Sequence, residues 1–375
     1  MERTEKKRRL KEVALLFFKL GCIGFGGPAV HIALMEKEVV QKRKWLSHEH
    51  FLDLVGATNL IPGPNSTEMT MHCGQERAGR AGLVVAGLCF ILPAVIITGA
   101  FAWAYQLYGN LPEVEPFIYG IKPAVISVIL ALMLSLGKKA LKSLEVGILG
   151  LIAFGLALAG INEIAVLFGV GFLGMLWSLA RGKRFYNIFP VLSLSVAENF
   201  SDVNHLKIFW IFLKVGAILY GSGYVLFAFL DAELVETGLL SKQTLIDAVA
   251  IGQFTPGPVF SSATFIGWQL GGWQGAVLAT IGIFLPSFLF VALLNPLIPK
   301  LRSSRLMSAF LDAVNIASIA LILVICIEMG KAALTDWRTV LIAALGFAAT
   351  FYFKNLNTAF VILGGAVLGY LLTLF

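Results

Sequence analysis

Charge is what this sequence has least of. Only 14% of its 375 residues are Asp, Glu, Lys or Arg, while 58% are hydrophobic. A soluble domain carries roughly a quarter charged residues. Mean hydropathy is +0.84, so the apolar surplus has to face lipid. Apolar–polar alternation is missing as well. The runs at 148–158 and 319–327 are continuous, which argues against a transmembrane barrel. Clustered cysteine is absent. Cys22, Cys73, Cys89 and Cys326 lie apart in apolar or near-apolar stretches, so neither a disulfide framework nor a metal site has its ligands, and four buried, inert thiols are expected. No GxxxxGK[ST] pattern occurs, so no ATP-driven step is encoded. The Gly-rich QERAGRAG and QLGGWQG stretches have no strand before them and do not read as nucleotide loops. No catalytic pair and no cofactor motif is present, so an enzyme is not expected. The formal charge of +7 sits mostly in loops. It reports membrane topology rather than nucleic-acid binding.

What remains is an all-α polytopic membrane protein. The basic stretch MERTEKKRRLKE reads as a cytoplasmic arm, held there because Lys and Arg in short flanking segments stay inside. Apolar segments follow at 10–24 and to Val40, then a basic QKRKW loop and short pieces on either side of Pro62-Gly63-Pro64. A long span is expected at 83–108, with others near 117–136, 144–160 and 163–180. After a connector at 181–205, segments recur at 206–220, 224–237, 243–255, 259–268, 275–298, 306–328, 338–353 and 357–375. Several fall short of the ~20 residues a full crossing needs. The short ones flank Gly and Pro breaks, so they read as half-helices or re-entrant pieces. Pro-Gly-Pro cannot continue a helix, because proline lacks the amide donor and clashes with the preceding turn. In a membrane such a break survives only where it is buried in protein or lines a wet cavity.

The chain is duplicated. FFKLGCIGFGG at 17–27 matches FLKVGAILYGS at 212–222. Lys19 aligns with Lys214, Gly21 with Gly216, Gly26 with Gly221, Glu38 with Glu233, Ser47 with Ser241 and Asp53 with Asp247. Pro62-Gly63-Pro64 aligns with Pro256-Gly257-Pro258, then Gly74 with Gly267, Gly79 with Gly272, Gly82 with Gly275 and Pro93 with Pro286. Similarity of apolar sequence alone would not reproduce polar, Gly and Pro positions in one order. The expected units are an N-terminal repeat at 1–180, the connector at 181–205, which has to cross the membrane, and a C-terminal repeat at 206–375. The loop after the first long span, GNLPEVEP, has acids and no base. Its counterpart PKLRSSR carries Lys300, Arg302 and Arg305. The positive-inside effect then places the two loops on opposite sides, which makes the repeat inverted. Inverted repeats in transporters hold substrate near the midplane at discontinuous helices.

The break motifs supply the candidate site. A half-helix starting after Pro64 offers free amides at Asn65, Ser66 and Thr67 and the positive end of its dipole, which attract an anion. The second copy offers Ser261, Ser262 and Thr264, with Gln253 ahead of its break where the first has Asn59. Gly26, Gly27 and Pro28 form the first break, and Gly221 and Ser222 the second. Lys19 and Lys214 are repeat-related bases in apolar stretches. Each either neutralises a dianion or snorkels to the interface. Glu68, Asp53, Asp247 and His31 are candidates for proton coupling. Glu68 has Arg77 or Lys19 as candidate partners, and His31 and His72 read more simply as partners of buried carbonyls.

Phe25-Gly26-Gly27-Pro28 followed by Pro62-Gly63-Pro64, repeated once in a chain of this length, resembles the long-chain, two-repeat chromate ion transporter family. The resemblance covers nearly the whole chain. The second copy departs from it, with Tyr220-Gly221-Ser222-Gly223 in place of the quartet. The resemblance implies chromate export across a bacterial inner membrane, conferring resistance and driven by the proton gradient or by exchange. Chromate is a tetrahedral dianion close to sulfate in size and charge, so sulfate or another oxyanion remains open. So do a passive anion channel of the same architecture and a membrane scaffold. The partners implied are the oxyanion and the lipid bilayer, with a homodimer as one candidate assembly.

Overall fold

The computed structural model describes residues 2–109, 111–181, 204–221, 223–294, 304–353 and 356–374. Among the described residues every regular element is helical. The first half contains α1 (Glu2–Ile23), α2 (Pro28–Met35), α3 (His48–Thr58), α4 (Asn65–Tyr108), α5 (Glu115–Ala140), α6 (Leu144–Leu158) and α7 (Glu163–Arg181). The second half repeats the series as α8 (His205–Ile218), α9 (Val225–Leu230), α10 (Lys242–Phe254), α11 (Ser262–Leu294), α12 (Arg305–Ala333), α13 (Trp337–Tyr352) and α14 (Thr358–Thr373). Five of the helical stretches are long and apolar enough to cross a membrane: Asn65–Tyr108, Glu115–Ala140, Glu163–Ala180, Val259–Leu293 and Leu306–Ala333. Residues 182–203 of the expected membrane-crossing connector, and Lys300 and Arg302 of the PKLRSSR loop, lie outside the described residues.

Local sequence explains the starts and turns. Ser47 and Ser241, aligned in the repeat, cap α3 and α10: each hydroxyl accepts from an amide three residues on, His50 at 3.2 Å and Thr244 at 3.0 Å, which satisfies one of the orphan donors of the first turn. The basic arm is itself helical. It continues α1, tied by an Arg9–Glu5 pair at 2.6 Å one turn apart. α2 and α9 each run on into a π-helical segment, Glu36–Lys42 and Asp231–Val235.

α4 and α11 are hairpins rather than rods. Their helical path breaks at Ala78–Gly79 and at Gly271–Gly272, where Gly79 (φ 67, ψ −158) and Gly272 (φ 61, ψ −154) hold a conformation open essentially to glycine alone. A Cβ placed on Gly74 would lie 2.3 Å from the Gly82 carbonyl oxygen and 2.5 Å from the Ala86 side chain. In a continuous helix residues eight and twelve apart are separated by about 12 and 18 Å. The chain therefore doubles back, as it does at Gly267 and Gly275. Each hairpin has a short arm, 65–77 or 262–270, leaving the Pro-Gly-Pro, and a long arm, 80–108 or 273–294.

The halves interlock reciprocally. α6 and α7 pack on α12, while α13 and α14 pack on α5. α1 lies along α4, and α8 along α11. The long arms run antiparallel: Gly87 abuts Phe288, and Val95, Gly99 and Trp103 share a groove with Ala276, Val277 and Thr280. Exchanging equivalent contacts in this way is the signature of a two-fold relation. Of the cysteines, Cys73 and Cys326 are buried as expected. Cys22 is exposed and Cys89 half-buried, because both sit on the outer faces of their helices.

A Cβ at Gly79 or Gly272 meets nothing within 4 Å. Gly79→Ala and Gly272→Ala should therefore each cost only the backbone strain, about 1–3 kcal/mol, and by similar amounts. Denaturant titration of the purified variants in detergent measures this.

Candidate functional site

The two Pro-Gly-Pro tips meet at the centre and grip each other's half. The Gly63 amide donates to the Leu219 carbonyl, at the end of α8, at 2.8 Å. The Gly257 amide donates to the Gly24 carbonyl, at the end of α1, at 2.7 Å. These are one contact made twice, since Gly63 aligns with Gly257. Each tip thus closes the helix break of the opposite repeat and satisfies a carbonyl that has no place in a helix ladder. His31 donates from Nε2 to the same Gly24 oxygen at 2.9 Å and is edge-on to Phe90. On the other side, the Ser318 hydroxyl donates to the Tyr220 carbonyl at 3.1 Å.

Space at the tips demands glycine. A Cβ on Gly63 (φ 137) would fall 2.3 Å from Glu68 Oε1 and 2.4 Å from Ser287 Oγ. On Gly257 (φ 96) it would fall 2.9 Å from Ala94 Cβ, and Ala94 is the counterpart of Ser287. Gly26 (φ 104), Gly27 (φ 82) and Gly221 (φ 94) line the breaks, and Gly27 faces the Tyr224 hydroxyl, which lies 3.8 Å from an added Cβ. Ser222 lies outside the described residues.

The cluster is rich in neutral donors. α4 begins at Asn65 directly after Pro64, as expected, with no side-chain cap on its first amides. The Thr67 amide is not free: it is used on the Pro64 carbonyl at 2.8 Å. The amides of Asn65 and Ser66 precede the first intrahelical acceptor. Asn65 also donates through Nδ2 to Asn59 at 2.8 Å. In the second half the Ser261 hydroxyl accepts from Thr98 at 3.2 Å, Thr98 also reaches Thr255 at 3.4 Å, and Ser262 is spent on the Val259 carbonyl at 2.9 Å. Gln253 accepts from Tyr224 at 3.3 Å. Among the described residues several buried polar atoms here lack a partner, including Gln253 Nε2, Thr67 Oγ1 and Glu68 Oε2. Buried polar atoms without partners are rare and need a reason.

The charged candidates separate. Glu68 is fully buried, and its described partner is the Ser287 hydroxyl at 3.2 Å rather than Arg77 or Lys19. Arg77 instead pairs with Glu12 at 2.6 Å. Lys19 and Lys214 do not join the tips. Each is roughly half exposed and bonds the repeat-related acid, Glu38 at 3.6 Å and Glu233 at 2.6 Å. Lys42, bonded at 2.9 Å, with Lys19 and Arg43 nearby, holds the Glu38 carboxyl below its ordinary range. Asp53 is half-buried on α3. Asp247 is buried against Tyr105 and Lys122 midway along α10. His31 takes the carbonyl role expected of it. His72 does not: both its ring nitrogens are buried without a hydrogen bond. Glu68, His72 and Gln75 share one face of the short arm of α4, four and three residues apart, and all three carry an unpartnered polar atom. Thr98, Thr255 and Ser287 were not singled out from sequence. Thr255 alone had a local signal, as the residue directly before Pro256. Lys122, a lone base inside the 117–136 span, had a signal of its own.

The chromate transporter family model matches residues 11–175 and again 206–370. The chain belongs to the chromate transporter family. It is therefore a multi-pass membrane transporter with two family repeats, and not an enzyme. It is 29% identical to the chromate transport protein of Cupriavidus metallidurans over 96% of this chain and 92% of that one. It is also 29% identical to a probable chromate transport protein of Synechococcus elongatus, over 96% and 95%. An uncharacterized transporter of Bacillus subtilis matches at 31% over 43% of this chain and 81% of its own length, about one repeat. No solved structure matches the chain.

Gly63→Ala meets two polar oxygens on top of its backbone strain, whereas Gly257→Ala meets one methyl. Gly63→Ala should lower thermal stability in detergent by at least about 1–3 kcal/mol and by more than Gly257→Ala. Adding Ser287→Ala should recover part of the Gly63→Ala loss.

Proposed function

We propose that this chain carries a tetrahedral oxyanion, chromate foremost, outward across the inner membrane by alternating access of two inverted halves. The single observation that carries the reading is the crossed pair of tips, with its unpartnered buried donors between the two halves. Neutral hydroxyl, amide and backbone donors suit an oxyanion, because they bind charge without a counter-ion that would hold the substrate fast. The relatives from Cupriavidus metallidurans and Synechococcus elongatus are named for chromate transport, and the family gives the transporter class. The antiparallel long arms and the base-free GNLPEVEP loop support inversion, with the N-terminus cytoplasmic.

Two further observations favour an active transporter over a channel. The tips differ in exposure: Asn59 is exposed, whereas its counterpart Gln253 is buried. A carrier caught open to one side has that asymmetry. Glu68, buried without a cation, is fitted to carry a proton across, and His72 and Gln75 lead from it toward Glu76 and His50, which pair at 3.5 Å near the end of the short arm.

Radiolabelled chromate uptake into proteoliposomes tests this. An imposed proton gradient should drive accumulation above the outside concentration, and excess sulfate should compete weakly. Glu68→Gln should reduce gradient-driven accumulation to the level of empty liposomes while leaving chromate–chromate exchange. Equal fluxes with and without a gradient, and no exchange, would mean a passive channel. Sulfate taken up in preference to chromate would overturn the substrate assignment.

A further inference from the structure

A strongly basic patch lies far from the tips, on the outer side of α1. α1 lies along α4, and its Val13, Leu16, Phe17 and Leu20 are buried in one cluster with Met69, Ala86 and Phe90 of that helix. Its other side is bare. Lys7, Lys11, Leu15, Phe18 and Cys22 are all exposed. They follow one another at spacings of four, four, three and four, which places them on a single side of a helix. The bare apolar stripe therefore runs directly into two lysines. Glu5 and Glu12, seven apart, share a different side, and Glu12 is held against the body by Arg77 of α4 at 2.6 Å.

The bases on this side have no counter-charge. Arg9 pairs with Glu5 at 2.6 Å and Arg8 with Glu12 at 3.8 Å. Among the described residues Arg3, Lys6, Lys7 and Lys11 join no ion pair. Arg3, Lys7 and Lys11 stand one turn apart as like charges, which destabilises a helix. Arg3 also sits in the first turn, where the helix dipole favours acids. A topology signal needs only the number of bases near the membrane, not their stacking on one side. Depth fits a ligand as well. Lys11 lies two residues before Val13, the first buried residue of the apolar stretch. Lys7 is about 6 Å further along the axis, and the headgroup layer is roughly 5–7 Å deep. Both ammonium groups are thus carried into that layer, directly above exposed apolar side chains.

We propose that the outer side of α1 binds an anionic phospholipid. Lys7 and Lys11 hold its phosphate through charge-assisted hydrogen bonds, and an acyl chain lies along Leu15, Phe18 and Cys22. The ligand class is a diacyl lipid whose headgroup carries net negative charge. A zwitterionic headgroup brings its own cation and loses most of the attraction. Arg3, one turn further out, adds attraction within a Debye length of the surface. The bound phosphate relieves the like-charge ladder that α1 otherwise holds without a partner. The inference concerns how α1 meets the membrane and is independent of which ion the tips carry.

Two measurements test it on the full chain. In native mass spectrometry of the purified protein, phosphatidylglycerol should be retained in preference to phosphatidylcholine. Lys7→Gln together with Lys11→Gln should weaken phosphatidylglycerol binding about tenfold or more. Lys6→Gln together with Arg9→Gln removes the same charge from other sides of the helix and should weaken it far less. Excess inorganic phosphate should not displace the lipid. Separately, a bimane on the native, exposed Cys22 thiol of Cys89→Ala protein in nanodiscs reads the acyl chain. Phosphatidylglycerol with brominated chains should quench it more than equally brominated phosphatidylcholine at the same mole fraction. Equal losses in the two double variants would mean a diffuse field and overturn the site, as would equal quenching by the two lipids. Displacement by inorganic phosphate would overturn the lipid assignment. If the lysine variants do not fold, the Cys22 quenching decides alone, because both lysines are native there.

Discussion

Everything in this structure hangs on two backbone hydrogen bonds, from Gly63 to the Leu219 carbonyl and from Gly257 to the Gly24 carbonyl. Each joins a Pro-Gly-Pro tip of one half to the interrupted helix of the other. Away from water, an unsatisfied peptide group is expensive, and four interrupted elements bring many such groups to one place. The crossed bonds resolve this by making each half complete the other. Either half alone would leave the breaks open.

The arrangement also sorts charge by depth. Lys19–Glu38 and Lys214–Glu233 are repeat-related pairs in which a half-exposed lysine meets a largely buried acid. The centre keeps neutral donors and one buried acid, Glu68. An oxyanion at the tips would then be held by hydroxyls and amides, which release it more readily than a fixed base. Of the bases seen in ion pairs, Lys122, beside Asp247 at 3.4 Å, is the least exposed. A strong central cation would bind a dianion tightly and slow its release.

Much of this was legible in the residues. The duplication, the helix breaks and the half-helix starting at Asn65 follow from Gly and Pro at aligned positions, because those residues restrict the backbone locally. The hairpin fold of α4 and α11 was partly legible: the short and long pieces were distinct, yet nothing local indicates that Gly74 and Gly82 touch. The partners of charged groups were not legible. Whether Lys19 turns toward Gly26 or toward Glu38 depends on the direction of a long side chain, which sequence spacing does not set. Ser287 meets Glu68 across the two hairpins and Tyr105 meets Asp247 across α4 and α10, and both contacts join residues more than a hundred apart. The aligned Glu38 and Glu233 did hold the answer for the lysines, since a base and an acid repeated together are a pair repeated together.

The central claim is that the transported ion sits between the crossed tips. The most direct measurement is the anomalous scattering of chromium from crystals grown with chromate at a concentration that saturates transport. The account predicts a peak beside the start of α4, within hydrogen-bonding reach of Gln253 and Ser261. A well-occupied peak elsewhere in the protein, with no density at the tips, would contradict it.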